Sequence, residues 1–331
     1  MRSRVLPQKL IIDADPGIGD AFAIALAACD PGIDLIAVTA TAGCVSGAVA
    51  TQNILSIIES VDPDKWPRLG GCNALRPTFP APESSASAFS GGNTAAFFDP
   101  LRLNGNYGLG ATELQFAQLH NQRDSAKLLV DLVRQNPHEI CVLTLGPLSN
   151  VALASELAPD FLDLIHSLVC LGGSVGAGGD VTAAAEFNLF ADPGAARTVL
   201  CSHTQKALVP LDISRNAVLT FDQFDRLNES RPDSLRWFFD ELLPFSLRAH
   251  REELGLEGLP LDAVTALAAI AEPRHFSTEA MSVDVEQDGN LTRGVSVFDR
   301  RGIPRWQQNI DVLTAVDPQG VLDYLTRVLK S

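Results

Sequence analysis

The chain is expected to fold as an α/β protein, an open and mostly parallel sheet with helices on both faces. Two patterns carry that expectation. Apolar runs of about five to eight residues recur at KLIIDAD (9–15), IDLIAVTA (33–40), EICVLTL (139–145), HSLVCLGG (166–173) and KALVPLD (206–212). They are continuous rather than alternating, as in a strand covered on both faces. Helix-like stretches at 20–29, 46–61, 124–135, 148–157 and 192–202 fall between them, and such βαβα alternation implies parallel strands.

Taken in order, the first strand turns through Pro16 and Gly17 into the alanine-rich helix 20–29, and the second ends at TAGCVS (41–46). The segment 81–100, APESSASAFSGGNTAAFFDP, is small, polar and glycine-bearing, and reads as a long loop. Loops of that length in compact domains tend to be functional. Asp124 or Ser125 starts the next helix, and Asp192 followed by Pro193 starts another. Residues 233–250, DSLRWFFDELLPFSLRAH, read as one aromatic-rich helix. The tail 282–331 begins with strand-like runs and ends in the helix GVLDYLTRVL. With no repeat and no linker to divide it, the chain is expected to be one domain over 1–331.

Composition narrows the function. Of 331 residues, 46% are apolar and 20% charged, which is ordinary for a soluble globular protein. A net charge of -15, from 40 acidic against 25 basic residues, argues against a nucleic-acid-binding surface. The six cysteines form no CxxC pair, and several lie inside apolar runs, so they read as free thiols of a reducing compartment. The apolar stretch of MRSRVLPQKLII is too short for a signal peptide, and no run approaches the roughly 18 apolar residues of a membrane span. A cytoplasmic protein without membrane or nucleic-acid partners is expected.

Ligands of open α/β sheets bind beyond the carboxyl ends of the strands. After the first strand come Asp13, Asp15 and Asp20, three carboxylates within eight residues. The second strand is followed by TAGCVS, the third by GPLSN (146–150), and the fourth by GGSVGAGGDVTAAAEFN (172–188) with Asp180, Glu186 and Asn188. Asp262 opens a very apolar helix and reads on its own as a helix cap. The pair at 13 and 15 differs. Two carboxylates at the end of a buried strand repel unless a cation or protonation relieves them. With Asp20 at the opening of the next helix, a metal is the simpler solution. An all-oxygen donor set, without paired His or Cys, selects a hard cation, Ca²⁺ or Mg²⁺, over zinc.

These residues carry a family resemblance. DADPGIGDA resembles the DxDPGxDDA signature of the inosine-uridine-preferring nucleoside hydrolases. Later matches follow in the right order: AVTATAG at 37–43, GLG at 108–110, LTLGPLSNVALA at 143–154, GG at 172–173, AEFNLFADPGAA at 185–196, VPLD at 209–212, LPLDAVTAL at 259–267 and LTRG at 291–294. The resemblance implies a Rossmann-like nucleoside hydrolase fold, assembled as a homodimer or homotetramer. It also implies cleavage of the N-glycosidic bond of ribonucleosides to base and sugar, with Ca²⁺ as cofactor. By the same resemblance Asp15, Asp20 and Asp262 ligate the metal through their side chains and Leu145 through its backbone carbonyl. Asp15 is also the general base for the attacking water. Glu186 and Asn188 hold sugar hydroxyls with Phe187 against the sugar, and Asp13 supports the site from behind.

Several positions depart from the family pattern. Gly19 stands where an Asp usually meets a sugar hydroxyl. Cys44 replaces an Asn, Asn104 replaces a His, and Asp180 puts a charge where an amide would face the 5′ end of the sugar; by the resemblance all three positions are still expected to bind substrate. Leu261 stands where a His protonates the leaving base in some members. Stacking of the base between aromatics is one substitute for that acid, which makes Trp237, Phe238, Phe239 and Phe245 candidates; the competing reading places them in the core. His250 and Arg248 are candidate replacement proton donors. The metal ligands are all retained while sugar contacts and the leaving-group acid change, so a binding protein that keeps its metal site but has lost its chemistry is the alternative. A phosphatase of the haloacid dehalogenase type also carries DxD after its first strand, but its other motifs are missing and AEFN argues against it.

Overall fold

The computed structural model describes residues 6–77, 98–112, 122–302 and 306–330. The expected loop at 81–100 lies outside them as far as residue 97. The described chain runs through β1 (Gln8–Ala14), β2 (Ile33–Ala40), β3 (Arg68–Gly71), β4 (Arg123–Asp124), β5 (Cys141–Thr144), β6 (Ser167–Leu171) and β7 (Lys206–Val209). It continues through β8 (Val218–Thr220), β9 (Gly258–Pro260), β10 (Phe276–Met281), β11 (Val283–Val285), β12 (Ser296–Phe298) and β13 (Ile310–Val316). Nine of these strands form one sheet in the order β10-β13-β7-β6-β5-β1-β2-β3-β4, parallel except for the antiparallel edge pair β10–β13. The predominantly parallel α/β expectation holds, and all five apolar runs are strands of this sheet.

The continuous apolar runs follow from two cores, one on each face. In β1, Leu10, Ile12 and Ala14 enter one core and Ile11 the other. In β5, Cys141 and Leu143 face the first and Val142 the second. Because successive side chains alternate between faces, a strand with two cores must be apolar at every position. Helices Ile18–Cys29, Gly47–Val61, Asp262–Ala271 and Pro318–Leu329 contribute to the first core, and Ser125–Gln135, Ser149–Leu157 and Pro193–Leu200 to the second. The expected starts at Asp124 and Asp192 are both caps, their carboxylates accepting the N–H groups of Lys127 and Ala195.

From β1 the chain builds outward through β2, β3 and β4, then returns to β5 on the other side of β1 and continues to β6 and β7. Strand order therefore reverses between β1 and β5. In open α/β sheets the crevice at that switch point binds ligands.

The expected single helix over 233–250 is corrected. It breaks into a 3₁₀ turn at Asp233–Leu235, a π-helical turn at Phe238–Leu242 and an α-helix at Leu243–Leu254. Pro244 sits in the first turn of that helix, where its missing N–H is tolerated. The aromatics belong to the core: Phe238 and Phe239 are buried, each with its ring centroid 6.0 Å from that of Phe22, and Phe239 stacks on Phe224 at 5.6 Å. Among its described residues the tail carries three strands and a helix. The polar edge strand β10, FSTEAM, shows no apolar run because most of its residues are exposed. No helix among the described residues is long and apolar enough to cross a membrane.

Candidate active site

A cavity of about 580 Å³ opens beyond the carboxyl ends of β1, β5 and β6, a size typical of small-molecule sites. Asp15, Asp20, Leu145 and Asp262 line it together. So do Cys44, Asn104, Asp180, Glu186, Phe187 and Asn188. Asp13 lies beneath, fully buried.

Asp15 follows directly on β1, and its carboxylate is lodged between Gly43 and Gly146, where a Cβ at either position would overlap it. Its Oδ2 accepts the N–H of Cys44. Burial pushes the Asp15 carboxyl up to about 7, with the charge of Asp13 adding to the effect. Asp20, in the first turn of helix Ile18–Cys29, is held well above the usual carboxylate range by burial, then by Asp15 and Asp262. The cap reading of Asp262 is corrected. Leu261 occupies the cap position, no side chain caps the helix, and Asp262 Oδ1 accepts the hydroxyl of Ser214. Helix Asp262–Ala271 packs against helix Ile18–Cys29, which brings Asp262 and Asp20 to the same cavity.

Three carboxylates sharing a cavity repel one another and favour a cation among them. None of the ion pairs among the described residues involves Asp15, Asp20 or Asp262. Among the described residues no three His, Cys, Asp or Glu side chains are drawn together closely enough to hold a metal ion as they stand. Asp15 is turned onto Cys44 and Asp262 onto Ser214. The donor set is all oxygen and lacks its counter-charge, which fits a hard cation.

Asp13 anchors the strand end beneath this group. Its Oδ1 accepts Thr39 Oγ1 at 2.6 Å and Asn150 Nδ2 at 2.8 Å, and the same Asn150 amide reaches the Ala40 carbonyl at 2.7 Å. Its Oδ2 has no hydrogen-bond partner among the described residues, and burial pushes the carboxyl up to about 7.

Glu186 caps the short helix Phe187–Ala191, accepting N–H groups from Asn188 at 2.9 Å, Leu189 at 3.2 Å and Gly173 at 2.9 Å. Gly173, at φ +71°, takes up the left-handed conformation that presents this N–H. Burial, then the charge of Asp180, raises the Glu186 carboxyl to about 8. Asn188 donates Nδ2 to the carbonyls of Leu145 at 2.7 Å and Leu171 at 3.0 Å, leaving its Oδ1 to the cavity. Asp180 accepts the Phe187 N–H at 2.8 Å and pairs with Arg215 at 3.1 Å, so its charge is compensated. Asn104 spends its amide on the scaffold. Its Oδ1 accepts the N–H of Ile18 at 2.8 Å, supplying the helix cap that Gly17 lacks, and its Nδ2 bonds to the Pro100 carbonyl at 3.0 Å. Cys44 acts through its backbone, while burial and the carboxylates of Asp15 and Asp20 keep its thiol protonated.

A family model described as inosine-uridine preferring nucleoside hydrolase matches residues 10–323. The chain belongs to that family. A probable uridine nucleosidase of rice, Oryza sativa subsp. japonica, is 31% identical, the match covering 97% of this chain and 93% of the relative. An inosine-uridine preferring nucleoside hydrolase of Crithidia fasciculata is 29% identical, with 89% of each chain covered. A solved plant nucleoside hydrolase superposes with a TM-score of 0.83 at 26% identity, covering 98% of this chain and 99% of that one.

Within this nucleoside hydrolase, two departures acquire a geometry. Gly19 lines the cavity, and a Cβ there would meet nothing within 4 Å. Leu261 is buried in the apolar core. The sequence reading missed Ser214 and Arg215. Both follow β7, and their partners, Asp262 and Asp180, lie far along the chain. Asn150 and Gly146 lie in GPLSN (146–150), but nothing local distinguishes a buried amide bonded to Asp13 from an ordinary loop residue.

Proposed function

We propose that this enzyme hydrolyses the N-glycosidic bond of a ribonucleoside, with Ca²⁺ held by Asp15, Asp20, Asp262 and the Leu145 carbonyl. The observation that carries the reading is the convergence of carboxylates from residues 15, 20 and 262 on one cavity at the sheet's switch point. When bound, the cation supplies fixed positive charge that acidifies the attacking water and orients the sugar hydroxyls. Asp15, at the end of β1 in this cavity, takes the water's proton. Glu186 faces the positive charge that develops on the sugar, which favours its ionised form. Asn188 Oδ1 accepts from a sugar hydroxyl, Phe187 packs against the ring, and Asp180 with Arg215 borders the sugar's far end. The enzyme is read as a single domain acting as a homodimer or homotetramer in the cytoplasm, its six cysteines all free.

A second reading, a nucleoside or sugar binder without turnover, draws on Gly19 and Leu261, the two positions that offer no functional group. One experiment tests both: release of reducing sugar from a panel of purine and pyrimidine ribonucleosides, with Ca²⁺ and with a chelator. Chelator-sensitive release supports hydrolysis. Absence of release together with Ca²⁺-dependent nucleoside binding supports the binder.

A further inference from the structure

His250 belongs to helix Leu243–Leu254 and lines the cavity with Ser246 of the same helix. Its Nδ1 lies 2.8 Å from the Ser246 carbonyl and 3.3 Å from the Ser246 hydroxyl. A carbonyl only accepts, so Nδ1 carries a proton and donates it there. Nε2 is then the nitrogen left to the cavity, with no protein hydrogen bond among the described residues. In the neutral ring it holds a lone pair; in the imidazolium it holds a transferable proton. Leu254, Leu256 and Val218 line the same cavity and offer apolar surface against which a planar base can pack. The carboxylates, Glu186 and Asn188 line the same cavity from the strand ends.

We propose that His250 is the proton donor to the departing base. This rests on the nucleoside hydrolase reading. The bond from C1′ to the base nitrogen breaks with its electron pair passing to the base. The water oxygen bonds to C1′ while its proton goes to Asp15. The Nε2 proton passes to the base, leaving a neutral base and a neutral imidazole that takes up a new proton from solvent. An N-glycoside of an ordinary base needs such a proton because the base anion is a poor leaving group.

Charges around the ring set its response to pH. Burial lowers the imidazole below its usual value; the Ser246 carbonyl and Asp262 push it up, and Arg215 pushes it down. Asp180 and Glu257 share the cavity, Arg102 pairs with Glu253 where helix Leu101–Asn104 packs on this helix, and Asp240 of the preceding turn pairs with Arg231 and Arg236. The alkaline limb of the nucleoside reaction therefore belongs to His250: kcat/KM falls as pH rises above the imidazole's own pKa.

The test compares uridine and inosine with p-nitrophenyl β-riboside, whose leaving group departs as a stabilised anion without a proton. His250→Asn keeps an amide N–H where Nδ1 donates to Ser246 and removes only Nε2; His250→Gln is the second variant. The proposal expects a loss of about a hundredfold or more on both nucleosides, near-parental rates on the aryl riboside, and disappearance of the alkaline fall in kcat/KM. Equal losses on all three substrates, or no loss on nucleosides, overturn it, with melting temperatures showing that the variants are folded. If the parent enzyme cleaves none of the three, the hydrolase reading fails and the proposal falls with it.

Discussion

Asn188 ties the ends of two neighbouring strands together: its Nδ2 donates to the Leu145 carbonyl at 2.7 Å, past β5, and to the Leu171 carbonyl at 3.0 Å, in β6. One amide thus sets the orientation of the carbonyl proposed as a metal ligand and presents the oxygen proposed to meet the sugar. Replacing it by Ala leaves two carbonyls unpaired in a buried site, a loss of about 1–3 kcal/mol. Asn188→Ala is expected to melt earlier and to bind Ca²⁺ more weakly, read by thermal denaturation with and without the cation. An unchanged Ca²⁺-induced stabilisation would mean that the Leu145 carbonyl does not need this support.

Asp15→Asn separates chemistry from folding. The amide fits the space between Gly43 and Gly146 but cannot take a proton from water. Turnover is expected to fall by about a hundredfold or more. The metal-free protein should melt no earlier than the parent, because the substitution removes a buried carboxylate that burial and Asp13 disfavour. Substantial activity in this variant would remove Asp15 from the role of general base.

For Asp262→Ala the expectation differs from that for a helix cap. Since the side chain caps nothing and instead accepts from Ser214, the loss of helix stability should be small. Calcium affinity and nucleoside turnover should drop together, measured by calorimetric titration and by sugar release. A variant that melts earlier yet keeps both properties would restore the cap role.

How much of this was legible in the sequence depends on distance along the chain. Asp13, Asp15 and Asp20 announce themselves because a buried strand and a buried helix meet there, leaving no local reason for so much charge. Five sheet strands were visible because double burial makes them continuously apolar. Asp262 looked like a cap because one residue before an apolar helix carries no record of Ser214, its partner 48 positions away. Arg215 was missed for the same reason, since its partner Asp180 lies 35 positions off. The 233–250 segment failed differently. Its helical period is real, but Pro244 and the packing of Phe238 and Phe239 on Phe22 impose a wide turn that periodicity does not encode.

The raised carboxyls make stability depend on pH and on the cation. Burial lifts Asp13 and Asp15 to about 7 and Glu186 to about 8, above their ordinary values of 3.8 and 4.5. Between those limits the folded protein holds protons that the unfolded chain has released, so this contribution is complete at low pH and lost as pH rises through the folded values. With chelator present, the melting temperature is expected to fall between about pH 5 and about pH 8.5. Calcium favours the ionised carboxylates and should flatten or reverse that slope. Parallel slopes with and without Ca²⁺ would show that Asp15 does not hold the cation.

Gly19→Asp asks what the missing carboxylate means. The added side chain meets no atom within 4 Å of its Cβ, so the substitution enters the cavity without displacing the scaffold. At the start of helix Ile18–Cys29, a negative charge is also favoured by the helix dipole, offsetting repulsion from Asp20. A charge-assisted hydrogen bond to a sugar hydroxyl is worth about 1.5–3 kcal/mol, roughly tenfold or more in affinity. The variant is therefore expected to lower KM for uridine and inosine at least several-fold while 2′-deoxy and 3′-deoxy analogues, lacking one hydroxyl each, identify which of the two it meets. If KM instead rises for every ribonucleoside while the fold and Ca²⁺ affinity persist, the space beside Gly19 is used by part of the substrate itself, and the natural sugar is bulkier at that position than ribose.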